Sequence, residues 1–244
     1  MSDPGERQDR LLRLIDAEAP AVDIDGVDGR LDRICRAAAR HLPADGAGIT
    51  IMDSDGRPAG TIAASNSRFR QLEELQFTLG EGPCVEAYAA RRPVLEPSVA
   101  VSGMRRWPGY APAAHEQGVN AVFAFPIQIG AARLGVLDVY RYEAVPLAPD
   151  ALRDALGFAH LCLDTLLSRE GVGPGGESAD RWGDTLRLSS EAYQAQGFIM
   201  VQLGVSLADA MVWLRAHAYA ANRPIVEVAR EVLEGKIVFT RDDL

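Results

Sequence analysis

The feature that most constrains the fold is a glycine-rich break about 170 residues into the chain. The stretch Ser168–Asp184 reads SREGVGPGGESADRWGD and holds four glycines and one proline within six residues. This composition opposes both helix and strand and is typical of a flexible linker. The sequence therefore predicts an N-terminal arm at 1–27, a larger domain at 28–168, a linker at 169–187 and a small domain at 188–244. We expect limited proteolysis to cut near Gly173–Gly176.

The net charge and the distribution of apolar residues limit the classes of protein to which this chain can belong. The net charge is −9 and the pI is near 5.0, which argues against binding nucleic acid through bulk positive charge but leaves a local patch open. The first sixteen residues lack a long apolar run, and no stretch approaches ~18 apolar residues. We therefore expect no secretory signal, no membrane span and a cytoplasmic protein.

The cysteine and histidine positions predict no metal site and no disulfide framework. Three cysteines stand far apart, at Cys35, Cys84 and Cys162, and no pair has CxxC spacing. This pattern favours free thiols in a reducing compartment. The four histidines show no ligand spacing among themselves.

The larger part of the chain alternates helical and strand patterns. Apolar spacing predicts a helix first and a helix last, with two hairpins and a helical middle between them. The predicted segments are the helices Leu31–Leu42 and Ala148–Leu167 and the strands Ala47–Met52, Gly60–Ala64, Ala121–Ile127 and Leu134–Tyr140, with turns at 53–56 and 130–133. This order indicates an α+β antiparallel sheet with flanking helices. No dinucleotide or phosphate-binding glycine motif follows a strand.

Two sequence segments of this part resemble the GAF family. The segment Leu79–Ser98 (LGEGPCVEAYAARRPVLEPS) is similar to a turn, short helix and strand of that family, and Phe125–Ile127 followed by Leu134–Leu137 is similar to its last hairpin. The resemblance spans roughly 28–168 and implies a sensor domain that holds a small-molecule effector, of unknown identity, between the sheet and the middle helices. The candidate pocket residues are Phe77, Cys84, Trp107 and Tyr110.

Cys84 has two interpretations. Pro83 suits the first turn of a helix, so Cys84 would lie near a helix N-terminus, where the macrodipole favours a reactive thiolate. Alternatively, Cys84 is a small buried residue that closes the helix against the sheet. The second interpretation is favoured because free cysteines are usually buried and inert.

The last sixty residues predict three short helices joined by tight turns. The segments are Glu191–Gly204, Ser206–Asn222 and Pro224–Gly235. Gly204 is typical of a helix end, and Ser206 with Asp209 approximates a capping box. The sequence therefore predicts a small all-α three-helix domain.

This domain resembles the ANTAR family of RNA-binding antiterminators. The matching phrases are Ala195–Gly197, Leu203–Ser206, Leu214–Arg215 and Val228–Ala229. The resemblance implies a non-enzymatic transcription regulator that binds a hairpin in nascent RNA, under control of the sensor domain. The candidate RNA contacts are Gln196, Gln202, Arg215, Arg223 and Arg230.

The sequence departs from the ANTAR pattern in charge. Many ANTAR domains carry lysine where this chain has Gln196, and five basic and four acidic residues leave residues 193–241 at +1. RNA binding then depends on stacking and hydrogen bonding to loop bases more than on phosphate contacts. Trp213 and Tyr219 could stack on bases, or they pack against protein. A Gln196→Lys substitution is expected to add a phosphate contact.

The first C-terminal helix also predicts a homodimer. Phe198–Val201 is apolar on every side, and Leu188, Ala192, Ala195 and Ile199 step by four, three and four. The predicted dimer contacts are Ala195, Phe198, Ile199 and Met200.

Two rival functions remain open from the sequence. A protein-interaction module that senses a ligand or redox state without binding RNA is favoured by the low charge. An enzyme such as a free methionine sulfoxide reductase is disfavoured because the three cysteines are spread along the chain.

Overall fold

The computed structural model describes residues 4–20, 26–52, 58–130, 132–167, 191–221 and 223–240. The predicted turn at 53–56, the cleavage site at Gly173–Gly176 and Leu188 lie outside these residues.

The N-terminal domain is built on an antiparallel sheet, as the sequence predicts. Its five described strands lie in the order β2-β1-β5-β4-β3. The strands are β1 (Gly46–Met52), β2 (Pro58–Ala64), β3 (Val94–Glu96), β4 (Ala121–Ile129) and β5 (Ala132–Arg141). The turn predicted over 130–133 is shorter, because β5 already begins at Ala132.

Helices cover both faces of this sheet. They are α1 (Pro4–Asp16), α2 (Gly26–His41), α3 (Ser67–Leu79), α4 (Pro83–Ala90), α5 (Met104–Arg106), α6 (Tyr110–Glu116) and α7 (Pro149–Leu167), with a π-helical turn at Val99–Gly103 before α5. Strand alternation divides the core in two. Phe123 and Phe125 pack with α1, α2 and α7, whereas Val122 and Ala124 pack with α3, α4 and α6.

The C-terminal domain is a three-helix unit, again as predicted. Its helices are α8 (Glu191–Leu203), α9 (Leu207–Ala220) and α10 (Ile225–Leu233). Gly204 adopts a φ of 68° after α8, and the Ser206 hydroxyl accepts a hydrogen bond from the backbone N–H of Asp209 at 3.1 Å, so the predicted helix end and helix cap are confirmed. The apolar stripes of the three helices meet in one core.

Among the described helices, no single one is long and apolar enough to span a membrane. Helices α8 and α9 reach the required length and hydropathy only as a pair, and the pair is bent by 106°.

Candidate functional site

A cluster of buried polar side chains lies between the sheet and α3. We call it the buried acid cluster: Thr50, Glu73, Gln76, Asp138 and Tyr140. It forms because β1 has glycine where the strand faces α3. A β-carbon at Gly48 would overlap the carboxyl group of Glu73, so only glycine lets this carboxyl reach the sheet.

Hydrogen bonds connect every member of the cluster. The hydroxyls of Thr50 and Tyr140 each donate to the Glu73 carboxyl at 2.7 Å. The Gln76 amide donates to Asp138 at 2.5 Å and accepts from the backbone N–H of Cys84 at 2.9 Å. Asp138 Oδ1 is buried and has no hydrogen-bond partner within the described part of the chain. The cluster thus joins α3 and α4 to the two central strands and leaves one carboxyl oxygen, Asp138 Oδ1, without a hydrogen-bond partner among the described residues.

Burial keeps protons on these carboxyls. Desolvation raises the pKa of Glu73 from 4.5 to about 7, although hydrogen bonds from Thr50 and Tyr140 oppose the rise. Desolvation raises the pKa of Asp138 well above its ordinary value, and repulsion from Glu73 adds to the rise. The pair therefore holds at least one proton near neutral pH.

The sequence analysis missed this cluster. The available signal was Asp138, a carboxylate within the apolar strand pattern LGVLDVY, which faces the same side as Val136 and Tyr140. A charge at such a position needs a buried partner. Glu73 lies 65 residues away in sequence, so the pairing depends on the fold.

Three of the four predicted pocket residues lie together. Cys84, Trp107 and Tyr110 are buried in one apolar cluster under α4 and α6, and the Trp107 and Tyr110 rings meet edge to face. Desolvation raises the pKa of the Cys84 thiol well above its ordinary value, so the thiol is neutral. The structure thus places Cys84 in the core, as the second interpretation expects, and burial opposes the thiolate form that the helix terminus would favour.

Phe77 does not belong to the predicted pocket. It lies on α3 and is only 8% exposed, but it packs with the core of the C-terminal domain. The prediction is wrong for this residue because α3 exposes its outer face to α9.

Glu81 has a structural role that the sequence analysis missed. Its carboxylate accepts hydrogen bonds from the backbone N–H groups of Gly109 and Tyr110, at 2.6 and 2.8 Å. It therefore holds the start of α6 and the buried Tyr110 in place.

Both glutamines proposed as RNA contacts make contacts inside the C-terminal domain. Gln196 is 6% exposed and donates to the carbonyl oxygen of Leu207 at 2.5 Å. Gln202 accepts from the backbone N–H of Phe239 at 3.1 Å. The prediction is wrong for Gln196, because its side chain is buried across the α8–α9 turn.

The three arginines proposed as RNA contacts also contact protein. Arg223 forms a two-point pair with Glu231, both bonds at 2.9 Å, and Arg230 pairs with Glu191 at 3.1 Å. The guanidinium of Arg215 lies against Gly80 at the end of α3. Any phosphate that binds these arginines must compete with carboxylates or with the sensor domain.

The predicted dimer contacts divide into buried and accessible residues. Ala195 and Ile199 are buried in the core of their own domain, because their stripe faces α9 and α10. They are unavailable to a second subunit, and the predicted seam fails at these residues. Phe198 is 52% exposed, and Met200 is partly buried.

Nothing in the described ranges resembles a metal centre. No group of three or more His, Cys, Asp or Glu side chains there is placed to hold a metal ion. Cys35 and Cys162 are buried in the core on the far side of the sheet, and burial raises the pKa of both thiols.

Comparison with protein families matches both parts of the chain. A family model described as GAF domain matches residues 25–170, and a model described as ANTAR domain matches residues 186–233. No curated protein matches the chain.

Solved structures that are similar to this chain include two GAF domains of phosphoenolpyruvate-protein phosphotransferases. The Coxiella burnetii domain is 18% identical, with a TM-score of 0.49, over 67% of this chain and 95% of that one. The Acinetobacter domain is 15% identical, with a TM-score of 0.49, over 75% and 99%. A type II free methionine-R-sulfoxide reductase from Thermoplasma acidophilum is 15% identical, with a TM-score of 0.44, over 57% and 92%.

Proposed function

This chain belongs to the GAF domain family and carries an ANTAR domain behind its GAF domain, and from this we propose that it is an antiterminator that binds hairpins in nascent RNA. GAF and ANTAR domains are regulatory, and ANTAR domains bind RNA, so the chain is a signal-regulated RNA-binding regulator. The observation that carries the proposal is the ANTAR match over 186–233, which includes α8 and α9 whole and α10 to its last residue.

RNA recognition in this protein rests on a few groups. Tyr219 is about half exposed and offers a flat ring to unstacked loop bases. Arg230 and Lys236 have the most exposed basic side chains among the described residues of the domain, at 50% and 67%. Each of these two side chains already pairs with a glutamate, so contacts to RNA phosphates contribute little to the affinity. RNA binding is therefore weak, and its affinity depends only slightly on salt concentration.

The sensor domain receives its signal at the buried acid cluster. An effector that forms a hydrogen bond with Asp138 Oδ1 would give this atom a partner, and Cys84, Trp107 and Tyr110 form the apolar surroundings. Because burial favours the protonated form of this carboxyl, the matching group on the effector is a hydrogen-bond acceptor. A buried polar atom without a partner costs free energy, and a small molecule with a complementary polar group would recover it.

A homodimer forms through the outer face of α8. Phe198 and Val201 are 52% and 75% exposed, one helical turn apart, and lie beside the partly buried Met200. This face is the part of the predicted contact that the domain core leaves accessible.

The test of RNA binding is ultraviolet cross-linking in cells followed by sequencing of the RNA bound to the tagged full chain. We expect short stem-loops that overlap terminator sequences. Recovery of RNA no richer in stem-loops than the cellular background would contradict antitermination. Co-purification of a protein without RNA would favour the interaction-module alternative, which the engaged arginines support.

A further inference from the structure

Helix α3 serves two domains at once. Its inner face carries Glu73 and Gln76 of the buried acid cluster. Its outer face carries Phe77, which packs into the apolar core of the C-terminal domain and is not a member of either sensor core. A change in the cluster therefore acts on a helix that directly contacts α9.

The end of α3 holds an arginine of α9. Gly80 caps α3 in the left-handed conformation, with φ 67°, and the guanidinium of Arg215 lies where a side chain at residue 80 would begin. A β-carbon there would overlap the guanidinium. Glycine at this position thus allows both the turn and the close approach of Arg215.

An open cleft of about 830 Å³ lies between α3 and α6 on the sensor side and α9 on the other. Tyr219 and Arg223 form part of its C-terminal wall. Glu74 of α3 and Glu116 of α6 stand on the sensor wall. A phosphate backbone that approached Tyr219 and Arg223 through this cleft would meet two carboxyl groups, and like charges repel strongly at partly desolvated sites.

We propose that this docked arrangement is the RNA-closed state of the regulator, with α3 acting as a clamp on α9. This inference rests on the proposed RNA-binding function. Phe77 anchors the clamp, Gly80 accommodates Arg215, and the carboxyl groups of Glu74 and Glu116 repel RNA. A signal that shifts α3 releases α9, exposes Arg215 and moves the carboxyl groups of Glu74 and Glu116 away from the already half-exposed Tyr219.

The fraction of molecules in the open state determines how much a broken clamp can raise the affinity for a hairpin. If only a tenth of the molecules are open, the apparent affinity for RNA is about ten-fold below that of the open state. A substitution that breaks the clamp therefore raises hairpin affinity by up to about ten-fold. The opposite arrangement, in which RNA binds across both domains, predicts a loss of affinity from the same substitution.

The experiment compares full-length variants by hydrogen exchange at α9 and by hairpin binding. Phe77→Asp places a charge in an apolar contact and is expected to speed exchange at α9 and raise hairpin affinity. Phe77→Leu keeps an apolar side chain and is expected to match the wild type. Because Phe77 lies outside both sensor cores, the sensor domain of the Asp variant should remain folded by circular dichroism.

A second pair of variants isolates the contact at Arg215. Gly80→Asn displaces the guanidinium, and asparagine tolerates the left-handed conformation better than other side chains. Gly130→Asn is the matched control, since Gly130 has φ 56° and nothing within 4 Å of its would-be β-carbon. Gly80→Asn should raise affinity about two- to five-fold, less than Phe77→Asp, because Arg215 can swing aside. Gly130→Asn should change nothing.

The results of these experiments distinguish a failure of the clamp proposal from a failure of the proposed RNA-binding function. Faster exchange at α9 with unchanged or weaker hairpin binding overturns the closed-state proposal and leaves RNA binding intact. Unchanged exchange in Phe77→Asp shows that α3 does not hold α9, which also overturns it. If neither wild type nor any variant binds a hairpin while exchange still reports opening, the RNA-binding function itself is wrong and the inference falls with it.

Discussion

The side-chain amide of Gln196 donates a hydrogen bond to the carbonyl oxygen of Leu207, across the turn between α8 and α9. This bond lies inside the C-terminal domain, and the Gln196 side chain is only 6% exposed. Residue 196 therefore links the two helices across their turn, and we expect any effect of its substitution on RNA binding to be indirect.

Substitution of Gln196 should change stability and leave the salt dependence of RNA binding alone. Gln196→Met keeps the volume and removes the donor, so the unfolding free energy should fall by about 1 kcal/mol. Gln196→Lys should leave the slope of log affinity against log salt unchanged, because the side chain is buried. Denaturant unfolding and salt titrations measure the two effects. A slope steeper by about 0.7–0.9 in the lysine variant would place residue 196 at the RNA.

The buried carboxyl of Glu73 predicts a pH-dependent stability. Its pKa is raised from 4.5 to about 7, so the folded state binds the proton more tightly than the unfolded state. Stability is then fully present below pH 4.5 and declines as the pH rises towards 7, by about 3 kcal/mol if the whole shift applies. Asp138, whose pKa is raised as well, extends the decline to higher pH.

The variant Glu73→Gln cannot ionise and should lose most of this decline. Unfolding free energies measured between pH 4.5 and 8 should show the variant gaining on the wild type as the pH rises. Glu143→Gln is the control, since that side chain is 77% exposed. Parallel pH profiles for wild type and Glu73→Gln would contradict a raised pKa.

Loss of the Glu81 carboxylate should loosen α6. Glu81→Ala removes the acceptor for the backbone N–H groups of Gly109 and Tyr110 and should cost about 1–2 kcal/mol. Near-ultraviolet circular dichroism should report the altered packing of Trp107 and Tyr110. A wild-type spectrum and melting temperature would show that water replaces the carboxylate without loss.

The dimer prediction now depends on Phe198 and Val201. Val201→Lys places a charge on the exposed face of α8 and should shift sedimentation towards monomer. Val101→Lys tests the same change at a valine of the sensor domain that is 71% exposed, and should leave the dimer intact. A wild-type monomer at micromolar concentration would contradict the dimer altogether.

Secondary-structure elements were predicted from the sequence more accurately than the contacts between side chains. Local signals such as Ser206 with Asp209 located the helices of the C-terminal domain, because capping depends on neighbouring residues. Phe77 and Gln196 were misassigned, since an apolar residue on α3 and an amide on α8 look the same in sequence whichever neighbour they face. Glu73 and Asp138 were missed, because a long-range pairing leaves no local pattern.

Fluorescence anisotropy with a labelled RNA hairpin and the full chain tests the central claim most directly, with a scrambled strand and a perfect duplex of equal length as competitors. At low salt, we expect the hairpin to bind at least about ten-fold more tightly than either competitor, a difference of about 1.4 kcal/mol. The salt slope should be shallow, near −0.7 for each of the few basic side chains engaged. Equal binding of all three RNAs, or no binding, would contradict the account.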